Sequence, residues 1–192
     1  MTRRDEIIKQ AGLLFSLKGY SAVSMRDIAK AVDIKAASLY NHLPSKQAIL
    51  EAIVLNLANT FVNHIHDVNQ NPSFSTRQKL SEIIQQHIDL SLQQPESVAV
   101  LNTEWIHLNG EALDKFKAKR FTYEQELREI IKNGIQEQSI TKRDPEVILF
   151  SILSTLRTLN LWVAKRKHLT VEDLKADLET ILLYGIIRQN KS

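Results

Sequence analysis

Apolar residues recur along this chain at the three-and-four spacing of amphipathic helices. Between Arg3 and Lys18, Ile7, Ile8, Ala11, Leu14 and Phe15 share one face and Gly19 follows as a stop, which predicts a helix of about four turns. Ser24 then precedes Met25, Arg26 and Asp27 in a capping-box-like start, and Ile28, Ala29 and Val32 supply the apolar face of a two-turn helix. Asp33 tolerates the left-handed backbone of a sharp turn, and Ile34 to Leu43, with Leu39 and Tyr40, reads as a second short helix ending before Pro44. Ser45 caps a longer helix through Ala48, Ile49, Ala52, Ile53, Leu57 and Phe61 to about Val68. Asn69 to Ser75, containing Pro72, is a loop. Five further helices follow, at about Thr76 to Gln93, Pro95 to Leu108, Glu111 to Gln138, Pro145 to Lys167 and Val171 to Gln189, with Pro95 and Pro145 in first turns, where proline is tolerated. Neither strand alternation nor a solenoid repeat interrupts this pattern. The expected fold is all-α with about nine helices.

Composition agrees. Five glycines and four prolines are too few for the tight turns of a sandwich or barrel, and 43% hydrophobic residues suffice for an ordinary core. No run of 18 apolar residues occurs, and Arg3, Arg4, Asp5, Glu6, Lys9 and Lys18 interrupt the first twenty positions, so neither a signal peptide nor a membrane span is expected. The absence of cysteine excludes disulfides, thiolate nucleophiles, Fe–S clusters and cysteine zinc sites, and it fits a cytoplasmic, reducing setting.

The net charge of +3 is unevenly placed. Residues 1–50 hold eight basic and four acidic side chains, and the remainder is net −1. A polyanion partner for the N-terminal end is one reading of that excess, and an ordinary solvated surface is the other.

The two short helices offer a more specific signal. Joined by a three- or four-residue turn and packed on flanking helices, they form a helix-turn-helix whose second member is the candidate reader of a DNA groove. Ala29 is small enough for close helix approach, while Ile34 and Leu39 anchor the reader from beneath. Lys35, Ala36, Ala37, Ser38, Tyr40 and Asn41 are left facing outward. Ser38 and Tyr40 suit phosphate oxygens, Asn41 suits a base edge, and Lys46, beside the next helix N-terminus, suits another phosphate.

These residues resemble a known family. Ile7-Ile8-Lys9-Gln10-Ala11, Leu14-Phe15, Gly19-Tyr20, Ser24-Met25-Arg26-Asp27-Ile28-Ala29, Ser38-Leu39-Tyr40-Asn41-His42-Leu43, Ser45-Lys46 and Ile49-Leu50 resemble, in type and spacing, the N-terminal domain of the TetR family of bacterial transcriptional regulators. The sequence departs from the family pattern at Asp33 and Ala37, where glycine is usual, at Lys35, usually a serine-like cap, and at Leu43, usually phenylalanine.

The resemblance implies a homodimeric, cytoplasmic repressor that places Lys35 to His42 in the major groove of each half of a palindromic double-stranded operator. It implies DNA contacts from Arg3, Ser24, Arg26, Lys35, Ala36, Ala37, Ser38, Tyr40, Asn41, His42 and Lys46. It divides the chain into a DNA-binding domain at 1–55 and a helical effector-binding and dimerisation domain at 56–192. The last two predicted helices, apolar nearly all round in the first case and amphipathic in the second, are read as a four-helix interface through Phe150, Leu153, Leu174, Leu178, Ile181 and Leu182, or else as monomer core.

The C-terminal half is similar to regulators of fatty-acid and sterol catabolism, through Tyr123, Leu127, Ile130-Ile131, Gly134-Ile135, Asp144-Pro145, Leu161-Trp162, Leu169-Thr170 and Gly185-Ile186 among others. Several such regulators sense acyl-CoA thioesters, which implies a small apolar effector. Trp105, Phe116, Phe121, Phe150 and Trp162 are candidate walls of an apolar tunnel, and four basic residues between Lys115 and Arg120 are candidates for CoA phosphates. Core aromatics and a solvated basic face explain the same residues.

Enzymatic readings find little. Glycine-rich phosphate loops, nucleophile elbows and His-Glu-x-x-His pairs are missing from the sequence. His64 and His66, two apart, point to different faces of one helix, and the Glu104, His107 pair has no second copy for a di-iron site. No cofactor or metal is expected. The nonenzymatic alternatives are a helical protein-interaction module and a regulator with a non-lipid effector.

Overall fold

The computed structural model describes residues 2–163 and 170–184. Among these are nine α-helices: α1 (Arg3–Lys18), α2 (Met25–Ala31), α3 (Ala36–Tyr40), α4 (Lys46–Gln70), α5 (Thr76–Gln93), α6 (Pro95–Thr103), α7 (Gly110–Gln136), α8 (Pro145–Val163) and α9 (Val171–Tyr184). A 3-10 turn, Trp105–His107, lies between α6 and α7. The expected continuations to Lys167 and Gln189, with Leu169, Gly185 and Ile186, lie outside the described residues. Two predicted elements are shorter in the structure. The helix expected at Ile34 to Leu43 contracts to Ala36–Tyr40 because Asp33 and Lys35 shape a turn before it. The helix expected to reach Leu108 stops at Thr103, where Glu104 N–H bonds back to Val100 and the 3-10 turn begins.

The chain forms two compact units. The first runs as far as Thr60 and takes in Gln94–Lys119 as well. Its core joins Ile7 and Phe15 of α1, Ile28 of α2, Leu39 of α3 and Ile49 and Leu50 of α4 to Val100, Leu108 and Phe116 from the later segment. Helix α1 starts with a capping box between Thr2 and Asp5 and packs against α2 and α6.

The second unit comprises Phe61–Gln93 and the residues from Arg120 onward. Leu80, Ile83, Ile84 and Ile88 make α5 its central helix, with α8 and α9 packed on it and Leu127, Ile130 and Ile131 of α7 buried nearby. Helix α7 ends where Gln138 takes φ 61° and the N–H groups of Ser139 and Ile140 return to Gly134 O, at 2.9 and 3.0 Å. Helices α4 and α8 are long and apolar enough to cross a bilayer by length and hydropathy, and each buries part of its surface against other helices, as core helices do.

Candidate nucleic-acid interface

Local chemistry builds the two short helices. Ser24 Oγ accepts from Asp27 N–H at 3.2 Å and Asp27 Oδ2 accepts from Ser24 N–H at 2.8 Å, so two donors at the start of α2 are satisfied reciprocally. The Ser24 hydroxyl, donating to Asp27 Oδ2 at 2.6 Å, and then the Ser24 N–H hold the Asp27 carboxyl below the usual carboxylate range. Ser24 is thus a cap, oriented toward its own helix.

The chain reverses at Asp33, whose φ of 52° is left-handed, and Ile34 N–H closes the turn onto Ala29 O at 3.0 Å. Helix α3 starts at Lys35 without a side-chain cap, consistent with a lysine where a hydroxyl would accept. Ala29 and Leu39 are buried and Ile34 is half-buried against the same core.

With Leu39 and Leu43 pointing inward, Lys35, Ala37, Ser38, Tyr40, Asn41 and His42 form one exposed face, and Ala36 is half-buried at its margin. Tyr40 is 52% exposed, with its ring and hydroxyl both open to a partner. Arg26 and Lys30 of α2 are exposed, as is Arg4 of α1. Arg4 and His42 both line an open groove of about 370 Å³ that also includes Pro44, Glu51 and Asn56. The arrangement offers small residues for close approach, hydroxyl and amide groups for oxygen and base edges, and cations around them.

Two expected DNA ligands are directed elsewhere. Arg3 binds Glu6 through Nη1 and donates from Nη2 to Val32 O, tying α1 to the turn after α2. Lys46 does not point outward. Its Nζ donates to Tyr20 O at 2.9 Å and Val23 O at 2.8 Å and lies 4.2 Å from the Tyr20 ring centroid.

The residues expected in the effector and dimer sites are dispersed. Trp105 and Phe116 stack at 5.5 Å within the first unit, where Phe116 is core. Phe121, Phe150 and Trp162 are exposed. Leu153 and Leu174 are buried in the single chain, while Leu178 and Leu182 are half-buried and Ile181 is exposed. On α8 the exposed apolar residues are Val147, Phe150, Leu161 and Trp162, a helically spaced stripe. Val147 and Leu161 belong to that stripe and are not among the residues expected at the interface. Of the basic run on α7, Lys115 pairs with Glu111 at 2.8 Å and Arg120 with Glu124 at 3.2 Å. Glu124 also binds Arg157 of α8 at 2.7 Å.

Other histidines have partners within the chain. His66 pairs with Glu126 at 3.1 Å, and His107 lies 3.5 Å from Glu104, with no metal-holding group of three or more such ligands among the described residues. His87 is buried beside Tyr123 and Phe61, a cluster that sequence spacing could not reveal because its members come from three helices.

Comparison with known proteins agrees with this geometry. Residues 7–53 match the family described as bacterial regulatory proteins, tetR family, and residues 73–186 match the tetracyclin repressor-like C-terminal domain. The biofilm operon icaADBC HTH-type negative transcriptional regulator IcaR of Staphylococcus aureus (strain Newman) is 47% identical over 70 residues, 36% of this chain and 37% of that protein, so the match spans little more than a third of the relative. The structure of the ketosteroid transcriptional regulator KstR2 of Mycobacterium tuberculosis superposes with a TM-score of 0.91 at 19% identity, covering 98% of this chain and 96% of that one. AibR, solved in complex with isovaleryl coenzyme A and operator DNA, superposes with a TM-score of 0.81 at 25% identity over 94% of this chain and 97% of its own.

Proposed function

The chain belongs to the TetR family of bacterial regulatory proteins, and from that premise we propose that it is a homodimeric, sequence-specific DNA-binding repressor released from a palindromic operator by a small apolar effector. The observation that carries the reading is the single exposed face of α3, with Lys35, Ser38, Tyr40, Asn41 and His42 outward while Leu39 is fully buried beneath them. Asn41 reads a base edge. Ser38, Tyr40 and the exposed cations Arg26 and Lys35 hold the duplex backbone. The IcaR match, over little more than a third of that regulator, supports the same role.

Two subunits related by a two-fold axis meet through the exposed stripe of α8 and Ile181 of α9. That gives two readers whose spacing must match half-sites a helical turn or a multiple of it apart. An effector that prefers a different spacing then competes with operator by linkage, without touching DNA. Support for an acyl-CoA thioester as the effector class comes from the likeness of the C-terminal half to lipid-catabolism regulators and from AibR, which binds isovaleryl coenzyme A.

The test is fluorescence anisotropy of labelled duplex, taken from upstream of the protein's own gene and from random-sequence selection, against a scrambled control. Salt-sensitive, sequence-selective binding is expected, with release by acyl-CoA and not by free CoA. Binding that ignores acyl-CoA discards the thioester and keeps the repressor. Failure to enrich any sequence overturns the DNA-binding reading.

A further inference from the structure

Every polar group of Tyr20 is committed to a different part of the first unit. Its N–H donates to Glu104 Oε2 at 3.0 Å, its carbonyl accepts from Lys46 Nζ at 2.9 Å, and its hydroxyl donates to Gln47 Oε1 at 2.9 Å. The ring stacks on His107 at 5.2 Å and 25°, meets Phe15 edge-on at 5.2 Å, and carries the Lys46 ammonium 4.2 Å from its centroid. One residue in the turn between α1 and α2 is therefore held from one side by the segment after α6 and from the other by the first turn of α4. Three residues after Tyr20, Val23 O takes a second hydrogen from Lys46, at 2.8 Å, and Ser24 then caps α2.

An ammonium has three hydrogens, and two of those on Lys46 are spent on backbone carbonyls while an aromatic face covers it. Swinging the ammonium outward to a phosphate loosens both carbonyl bonds. The Glu104 carboxylate is similarly engaged, accepting from Tyr20 N–H and from Thr103 Oγ1 with His107 Nε2 3.5 Å away.

We propose that Lys46 and Glu104 are positioning residues that grip the Tyr20 turn between them, so that residues 95–107 and the start of α2 move as one body, and that Lys46 is not a phosphate ligand. The assignment rests on the DNA-binding reading for its consequence and on the geometry of Tyr20 for its cause. Any shift of residues 95–107 within the first unit either breaks a bond to Tyr20 or carries the entry to the helix-turn-helix with it. Position of the reader is thereby tied to a segment distant from it in sequence.

The test compares wild type, Lys46→Met, Glu104→Gln and the double variant on a selected operator duplex across a series of KCl concentrations, with melting curves as a control for folding. Each single variant is expected to weaken binding roughly tenfold, as loss of a charge-assisted bond would. The slope of log affinity against log salt stays at its wild-type value for Lys46→Met. A slope smaller in magnitude by about 0.9 identifies a lost phosphate contact and overturns the assignment. The double variant is expected to lose no more than the weaker single, because both act through Tyr20; additive losses overturn the coupling.

Should Lys46→Met fail to fold, amine labelling of the intact wild type decides. Lys46 is expected to react slowly with an amine-acylating reagent with or without DNA, while Lys35 reacts fast in the free protein; a fast Lys46 that DNA protects overturns the proposal. Labelling of the free protein needs no operator. A wild type that selects no DNA thus fails the proposed function while leaving the grip on Tyr20 separately measured.

Discussion

His87 and Tyr123 share a hydrogen bond of 2.8 Å in the interior of the second unit, where both side chains are almost fully buried. Burial, with Arg157 and His64 adding repulsion, lowers the His87 pKa from 6.5 to about 3, so the ring stays neutral in the folded protein. The unfolded chain takes up a proton on this residue below about 6.5 and the folded chain does not, so stability is fully present above that value and is lost as pH falls toward about 3. The expected loss is roughly 1 kcal/mol per pH unit in that window. Urea denaturation at a series of pH values measures it, and His87→Gln, which keeps a partner for the Tyr123 hydroxyl, flattens the profile between about pH 6.5 and pH 5.

Asp33 holds a left-handed turn that β-branched residues resist. Asp33→Val is expected to cost about 1–2 kcal/mol, whereas Asp33→Gly is neutral or slightly stabilising. Thermal melts of the two variants settle the contrast; equal destabilisation would remove the turn as the cause.

Gly134 has no room for a methyl group, because a Cβ there would lie 2.6 Å from Thr76 Cγ2 and 2.8 Å from Ile140 Cδ1. Gly134→Ala is expected to destabilise the second unit by about 1–3 kcal/mol. The companion change Ile140→Val removes the Cδ1 contact and should recover part of the loss, read by denaturant midpoint.

Asn41→Ala should relax preference at particular base pairs by about 1–3 kcal/mol and leave affinity for scrambled DNA nearly unchanged. Competition binding against single-base operator variants measures this. Uniform weakening on every sequence would reassign Asn41 to the backbone.

Phe150 is 69% exposed in the single chain, so Phe150→Glu is expected to leave circular dichroism and the monomer fold intact. Sedimentation should show a dimer converted to monomer, with operator affinity falling as the second reader is lost. A wild type that sediments as a monomer, or a Phe150→Glu dimer, rejects this stripe as the interface.

Periodicity and end signals were sufficient for the helices themselves. Thr76 to Gln93 and Arg3 to Lys18 were readable because one apolar face and clear boundary residues are local properties, set within a few turns. The two-helix reader was legible for the same reason: Ser24 with Asp27, the reversal at Asp33 and inward Leu39 all act within about twenty residues. Departures came where an element stops for a nonlocal reason, as in the early end of α6 at Thr103, where the next residue, Glu104, turns to Tyr20 eighty-four positions earlier.

By itself, then, the sequence determined the helices, the capped turn and the outward chemistry of Lys35 to His42, because backbone hydrogen bonding and side-chain spacing are short-range. Tertiary structure alone decided that Gln94–Lys119 completes the core of the first unit, that Lys46 grips the Tyr20 turn, and that Leu153 is core while Phe150 is surface. Those outcomes depend on which distant helix arrives against a given face. Lysine can bind a phosphate or a carbonyl, and leucine and phenylalanine can fill a core or a subunit contact. Only the packed neighbours select between such equals, through the cost of leaving a donor unpaired or an apolar face wet.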